Sequence, residues 1–511
     1  MTHLPKKVRS INPIQSIKDY LLRRSAVDKV TSSLTGDFED LRKLTGLLKT
    51  DMASEGLQAF LHGLKQDIDN RSGMAKMFTR VGEAVNPTAQ KKLVGNLIYN
   101  WGFIGQNYQR EHRTFDWWIP SLLVISPTMR CNLNCTGCYS GLYTKDGELS
   151  EEELDRIFSE ARDNGIYFIV ISGGEPYVKK HELMRLFKKY DDMYFLTYTN
   201  GTLIDDKTAK QLGKLGNVAP AISVEGYREE TDSRRGEGIY DQVMAAMDRL
   251  RREGVLFGIS VTYTRENIDT ITSDDFIQYY IDKGAMFAWY FMFMPVGKDP
   301  ILELVPTPEQ RVYTGKRVEE MRTKYPIFMA DFWNDGPAVS GCLAGGRSYL
   351  HILNSGRVEP CVFAHFGTDN IKEKSLIDAA NSPFFRAIRQ KYPYNEKGNL
   401  KRPCMIIDNP EVLRELVDTH LVQQGHEHSE DLIHDEHVVD WINRYAKRFR
   451  ELTDPEWEKE IEIPNSRWYK HGHEYQNLFM FQRGYKVKPK VQESTKEMNA
   501  EKKSVKEKTD F

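Results

Sequence analysis

From Ile119 to Met294, short apolar runs alternate with amphipathic stretches. The runs at 122–126, 166–172, 194–198, 219–224, 257–263 and 287–294 have the length and composition of strands. Helical spacing predicts helices over 150–162, 182–190, 205–215, 239–253 and 274–283. The first opens with a capping box, Ser150 as N-cap and Glu153 at N3, with Leu149 and Leu154 as the staple. Repeated β-α units demand a parallel sheet with right-handed crossovers. About six units make a partial barrel rather than a closed one, with any site at the C-terminal ends of its strands.

The flanks read differently. Residues 1–117 are predicted helical, and Ile14, Ile17 and Leu21 recur at helical spacing beside Lys18, Arg23 and Arg24. That basic start suits a solvated helix docked on the core, or a helix lying on a membrane surface. Trp101, Phe103, Trp117 and Trp118 read as core aromatics. The pattern loosens after Pro306 and returns to charged helix near Val412. Residues 486–511 are rich in Lys and Glu and predict a disordered tail. The expected domains are 1–118, 119–305, 306–411, 412–485 and 486–511.

Composition narrows the setting. A chain of 511 residues has room for two to four domains, and a net charge of -2 gives no sign of a nucleic-acid partner. Six cysteines are too few, and wrongly spaced, for a secreted disulfide framework. Met1 to Arg9 is polar and basic with no apolar stretch behind it, and no run is apolar enough to span a bilayer. A reducing cytoplasmic setting is the expectation.

The chemistry starts at Cys131, Cys135 and Cys138, spaced C-x3-C-x2-C in one loop after the first strand. Three thiolates can hold three irons of a four-iron cluster and leave the fourth open to a ligand. A structural zinc site wants a fourth ligand, and none lies nearby in sequence. Gly173-Gly174-Glu175-Pro176 follows the second strand, where glycines let backbone approach a ligand. Together these segments resemble the radical S-adenosylmethionine (SAM) superfamily. The resemblance implies an α/β fold, a partial (β/α)6 radical SAM barrel with helical N- and C-terminal extensions and an auxiliary iron–sulfur domain. It implies a [4Fe-4S] cluster on Cys131, Cys135, Cys138 and SAM. It assigns SAM contacts to Gly173, Gly174, Glu175, Thr199, Asn200, Ser223 and Arg235. The planar guanidinium of Arg235 suits a carboxylate. Two departures stand out: Glu225 occupies a usual Asp position, and Gly137 replaces an aromatic residue before the third cysteine, so that Tyr139 is expected to supply the ring. Met294 to Gly297 falls where relatives line the adenine pocket.

Cys342, Cys361 and Cys404 form a second set, with Gly356 opening a G-x4-C run to Cys361. This resembles SPASM and twitch extensions and implies a second [4Fe-4S] cluster, with an open iron or a fourth ligand such as His365. Buried free cysteines are the plainer reading. His426, His428, His434 and His437 crowd an acidic stretch that reads as a solvated loop.

The mechanism implied by the resemblance is one-electron cleavage of SAM and hydrogen-atom abstraction from a substrate by a 5'-deoxyadenosyl radical. It implies a reductant such as flavodoxin or ferredoxin. A peptide or protein substrate comes first; a lipid or isoprenoid at a membrane surface is the second reading. A non-catalytic iron–sulfur scaffold or redox sensor is the third, opposed by Gly173 to Glu175 and Arg235.

Overall fold

The computed structural model of the chain describes residues 25, 27–47, 65–114, 117–297 and 301–462. The basic start with Ile14, Ile17 and Leu21, and the tail 486–511, lie outside the described residues. The chain divides into two units, the second beginning at Glu456, and the described residues of that second unit are helical.

The first unit is organised by one sheet. Strands β1 (Leu122–Ile125), β2 (Phe168–Ile171), β3 (Tyr194–Thr199), β4 (Val218–Val224), β5 (Gly258–Tyr263), β6 (Phe287–Met292) and β7 (Phe328–Asp331) lie side by side, all parallel. Each of the six expected strands is present. The seventh lies beyond the boundary expected at 305, so the sheet continues through it. On the other edge, β8 (His351–Ile352) pairs parallel with β1, β9 (Arg357–Glu359) antiparallel with β8, and β11 (Asp369–Asn370) antiparallel with β9. The barrel of six units is therefore part of a ten-stranded sheet. A separate ribbon pairs β10 (Phe366–Gly367) with β12 (Gln423–Gln424).

The helices form where the sequence supplies caps. Ser150 accepts from the Glu153 N–H and the Glu153 carboxylate accepts from the Ser150 N–H, which starts the helix Glu151–Asp163. Asp205 caps Asp206–Leu215 by accepting from the Thr208 N–H, and Ser273 caps Asp274–Asp282 by accepting from the Phe276 N–H. The apolar faces of these helices, such as Leu154, Ile157 and Phe158, are fully buried.

The N-terminal region is helical where described, but Leu93–Gly105 is a π-helix rather than an α-helix. Trp101 donates to the Ser121 carbonyl at 2.8 Å and packs on Phe168, and Trp118 donates to the Arg347 carbonyl at 2.6 Å. Trp117 departs from the core reading: it is 44% exposed. Among the described residues, no helix is long and apolar enough to cross a membrane.

Candidate radical and iron–sulfur site

The loop after β1 is fixed at its root. Arg130 pairs with Glu148 at 2.5 Å, and Lys179 reaches the same carboxylate at 3.4 Å. The next strand is pressed against this root. Gly174 N–H donates to the Thr128 carbonyl at 3.0 Å and Glu175 N–H to the Arg130 carbonyl at 2.9 Å. A Cβ on Gly174 would lie 2.3 Å from the Arg130 oxygen, and one on Gly173, at φ +115°, 2.4 Å from the Thr128 oxygen. Only glycine permits this approach.

Cys131, Cys135 and Cys138 line one cavity with Gly173, Gly174, Thr199, Asn200, Ser223 and Arg235. Residues separated by up to about a hundred positions thus converge as the strand-end rule expects. Leu133 N–H points at the Cys131 sulfur at 3.4 Å, and Asn200 Nδ2 lies 3.8 Å from it. Cys138 Sγ and Ser140 Oγ are 3.4 Å apart. Burial pushes the Cys131 thiol up to about 11, although its side chain reaches solvent, and raises the Cys135 thiol against the pull of Arg235. Among the described residues no three His, Cys, Asp or Glu side chains gather tightly enough for a single metal ion. Thiolates spread over a cluster need no such point.

Glu175 departs from its expected SAM contact. It is fully buried and does not line the cavity. Its carboxylate accepts from the Tyr177 N–H (2.9 Å), the Thr199 hydroxyl (2.8 Å) and the Asn200 N–H (2.8 Å). It ties β3's end to the Gly-Gly turn instead. Burial raises its pKa against these donors.

Arg235 is also engaged. Its Nε and Nη2 donate to Glu225 Oε1 at 2.8 and 2.5 Å, and Arg234 Nη1 donates to the same oxygen at 2.6 Å. Glu225 Oε2 is buried with no partner. Burial opposes the charge on Arg235, but Glu225 outweighs it and the pKa is raised. Arg234 also lines the cavity, and its carbonyl accepts from the Thr136 N–H in the cysteine loop. The sequence reading missed Arg234, although it precedes Arg235. It also missed Phe293. A Cβ on Gly137 would lie 2.5 Å from the Phe293 ring, so this ring fills the space beside the third cysteine that Tyr139 was expected to fill. Tyr139 instead points its hydroxyl to Ser172 at 2.8 Å and packs edge-on against Phe363. Gly297 lies against the carbonyls of Cys138 and Tyr139.

Cys342, Cys361 and Cys404 come together from three segments, Cys342 close enough to feel the charge of Cys361 and Cys404 that of Cys342. In all three, the N–H two residues on points at the sulfur: Ala344 to Cys342, Phe363 to Cys361 at 3.5 Å, Ile406 to Cys404 at 3.4 Å. Cys131 and Leu133 repeat the arrangement. Donors aimed at sulfur stabilise thiolate, so the set fits an iron–sulfur cluster. Burial holds the free Cys342 thiol at about 12 and raises those of Cys361 and Cys404. His365, the expected fourth ligand, has both ring nitrogens occupied: Nδ1 meets His426 Nε2 at 2.8 Å and Nε2 meets the Val362 carbonyl at 3.1 Å. Ribbon β10–β12 creates that pair. The Tyr349 hydroxyl lies 3.5 Å from Cys361 Sγ. Leu343, Tyr349, Val362 and Phe363, all from this region, line the cavity of the first site.

Comparison with known proteins agrees with this geometry. Residues 125–276 match the radical SAM superfamily, and residues 342–405 match the SPASM iron-sulfur cluster-binding domain. The chain is 25% identical over 324 residues to an AdoMet-dependent heme synthase of Methanosarcina barkeri, covering 57% of this chain and 90% of that protein. It is 27% identical over 276 residues to the PqqA peptide cyclase of Rhizobium meliloti, covering 50% and 72%. The crystal structure of Streptococcus suis SuiB bound to S-adenosylmethionine matches with a TM-score of 0.49 and 18% identity, covering 71% of this chain and 81% of that one.

Proposed function

We propose that this chain, which belongs to the radical SAM superfamily and carries a SPASM iron–sulfur domain, modifies a peptide or protein substrate. The observation that carries the reading is the convergence of the first cysteine loop and the second cysteine region on one cavity. When bound, the cluster and SAM supply reductive cleavage of the sulfonium and hydrogen-atom abstraction by a 5'-deoxyadenosyl radical. The protein's own residues position that chemistry. Cys131, Cys135 and Cys138 would hold the first cluster, and Cys342, Cys361 and Cys404 the second. Gly173 and Gly174 would let the backbone come close to the SAM amino group, and Thr199, Asn200 and Ser223 would complete the strand-end rim. Glu175 fixes that rim from below. Arg235, held by Glu225, would meet the SAM carboxylate with its remaining face, and Arg234 lies beside it. The apolar strands and aromatic rings around the cavity exclude water from a reactive radical.

The likeness to a peptide cyclase supports a peptide substrate. The likeness to a heme synthase, over 90% of its length, favours a second reading, a tetrapyrrole. Among the described residues, the cavity offers a carboxylated macrocycle only Arg234 and Arg235 as cations, and both already serve Glu225. An electron donor of flavodoxin or ferredoxin type is part of the proposal.

The test is anaerobic reconstitution with SAM and a strong reductant. 5'-Deoxyadenosine should form, and peptides should raise its rate where an iron porphyrin does not. An intact protein with full iron that never cleaves SAM would overturn the reading.

A further inference from the structure

The cavity extends well past the cysteines. Its wall includes alternate residues of the strands, Leu122 and Val124 of β1, Phe168 and Val170 of β2, which is the inward face of the sheet. From Phe168 to Ser172 this interior runs about 13 Å along the strand, at roughly 3.3 Å per residue. Among the described residues, Arg234 and Arg235 at the cysteine end are the only charged ones that line it.

Within this apolar interior three hydroxyl groups stand out: Tyr198 on β3, and Ser260 and Thr262 on β5. Among the described residues, none of the three makes a hydrogen bond from its side chain to protein, yet all three line the cavity. Their setting is built by register. Ser260 lies opposite Trp289 and Thr262 opposite Phe291 on the neighbouring strand. Trp289 and Phe291 are near-parallel, 6.1 Å apart at 17°, and Tyr198 stands edge-on to Phe291 at 5.3 Å and 83°. Each β5 hydroxyl therefore sits beside an aromatic ring. Rings give a flat guest its largest contact area, and an unpaired hydroxyl in an apolar space gains most from a guest that bonds to it. A charged guest would lose its hydration with no counter-charge to meet it.

We propose that this inner half of the cavity is a specificity pocket for an aromatic side chain with an uncharged hydrogen-bonding tip, a phenol or an indole, on the peptide substrate. Ser260, Thr262 and Tyr198 read the tip, and Trp289 and Phe291 hold the ring. The inference rests on the peptide reading above. It predicts that acidic and basic side chains are not accepted at the reacting position.

Fragments test it without the natural substrate. Binding of p-cresol, 3-methylindole, toluene, propionate and n-butylamine to the reconstituted, SAM-loaded protein is measured by ligand-observed NMR. p-Cresol and 3-methylindole should bind about 5-fold tighter than toluene, the value of one hydrogen bond. Propionate and butylamine should bind weakest. Ser260→Ala/Thr262→Val should bring p-cresol most of the way down to the level of toluene while toluene still binds, which shows that the pocket has stayed folded. Tyr198→Phe is the second variant, with a smaller loss of the same sign. Equal binding of toluene and p-cresol would overturn the assignment. So would propionate or butylamine as the best fragment, or a p-cresol preference untouched by both variants. SAM cleavage by the unmodified protein is scored separately, so a failed pocket and a failed enzyme give different results.

Discussion

Cys131, Cys135 and Cys138 share one loop and open onto a cavity, whereas Cys342, Cys361 and Cys404 are drawn from three segments and do not line it, Cys361 buried and the other two half-buried. The first site is held from outside, by the Arg130–Glu148 pair, by the Gly-Gly turn and by Glu225 gripping two arginines. The second is held from within. Cys404 N–H donates to Asp408, and Asp408 forms a fully buried pair with Arg311 at 2.5 Å, itself over the Phe449 ring. A site that exchanges SAM needs an accessible mouth and a rigid rim. A site that only holds a cluster gains from burial, which tunes its potential and keeps solvent out.

Deleting each set of cysteines probes that contrast most strongly. Cys131→Ala/Cys135→Ala/Cys138→Ala should lose about four irons and all 5'-deoxyadenosine formation. Cys342→Ala/Cys361→Ala/Cys404→Ala should also lose about four irons but keep the SAM-cleaving cluster. Iron and sulfide content, with chromatography of the nucleoside, separates the cases. If the second variant keeps all its iron, the second site is three free thiols and the contrast collapses.

The next effect is on stability. Asp408→Ala leaves Arg311 charged and unpaired at zero exposure. Urea unfolding should show a loss of about 3–5 kcal/mol. Replacing both partners with apolar residues should recover much of it, because the burial cost disappears with the pair. A single variant as stable as the parent would mean that the second site is not anchored through Asp408.

At the first site the comparable lesion is geometric. Gly174→Ala sets a methyl group 2.3 Å from the Arg130 carbonyl and must shift the root of the cysteine loop. A displacement near 1 Å costs about 100-fold in rate. SAM cleavage should fall by that order while the second cluster's spectrum stays unchanged. Equal damage to both clusters would show that the two regions move as one body.

The strands and helices of the β-α units were legible because their signals are local. Ser150 and Glu153 announce a helix, and apolar runs of strand length announce β1 to β6. The spacing of Cys131, Cys135 and Cys138 is local too, and so is Gly173-Gly174. What escaped is non-local. Strands β8, β9 and β11 have two or three residues each and exist only because a neighbour pairs with them. The His365–His426 pair joins positions 61 residues apart through a short ribbon. The buried engagement of Glu175 depends on Thr199 and Asn200 reaching it from another strand. No periodicity in a single sequence marks such contacts.

The smallest expected effect is also the finest test of the contrast. Tyr349 is one of the residues through which the second site touches the cavity of the first: it lines the wall and its hydroxyl lies 3.5 Å from Cys361 Sγ. On a thiolate the hydroxyl must be the donor, and a donor to a cluster sulfur favours the reduced, more negative state. Tyr349→Phe keeps the ring and removes that hydrogen bond. Stability should change by no more than about 1 kcal/mol. The midpoint potential of the second cluster should fall by about 40 mV, the one-electron equivalent of that energy. Potentiometric EPR on the protein lacking Cys131, Cys135 and Cys138 isolates the second cluster. No shift would make Tyr349 a wall residue only. A shift there, joined by a change in the first cluster's signal in the intact protein, would mean that this phenol contributes to an electronic link between the two sites.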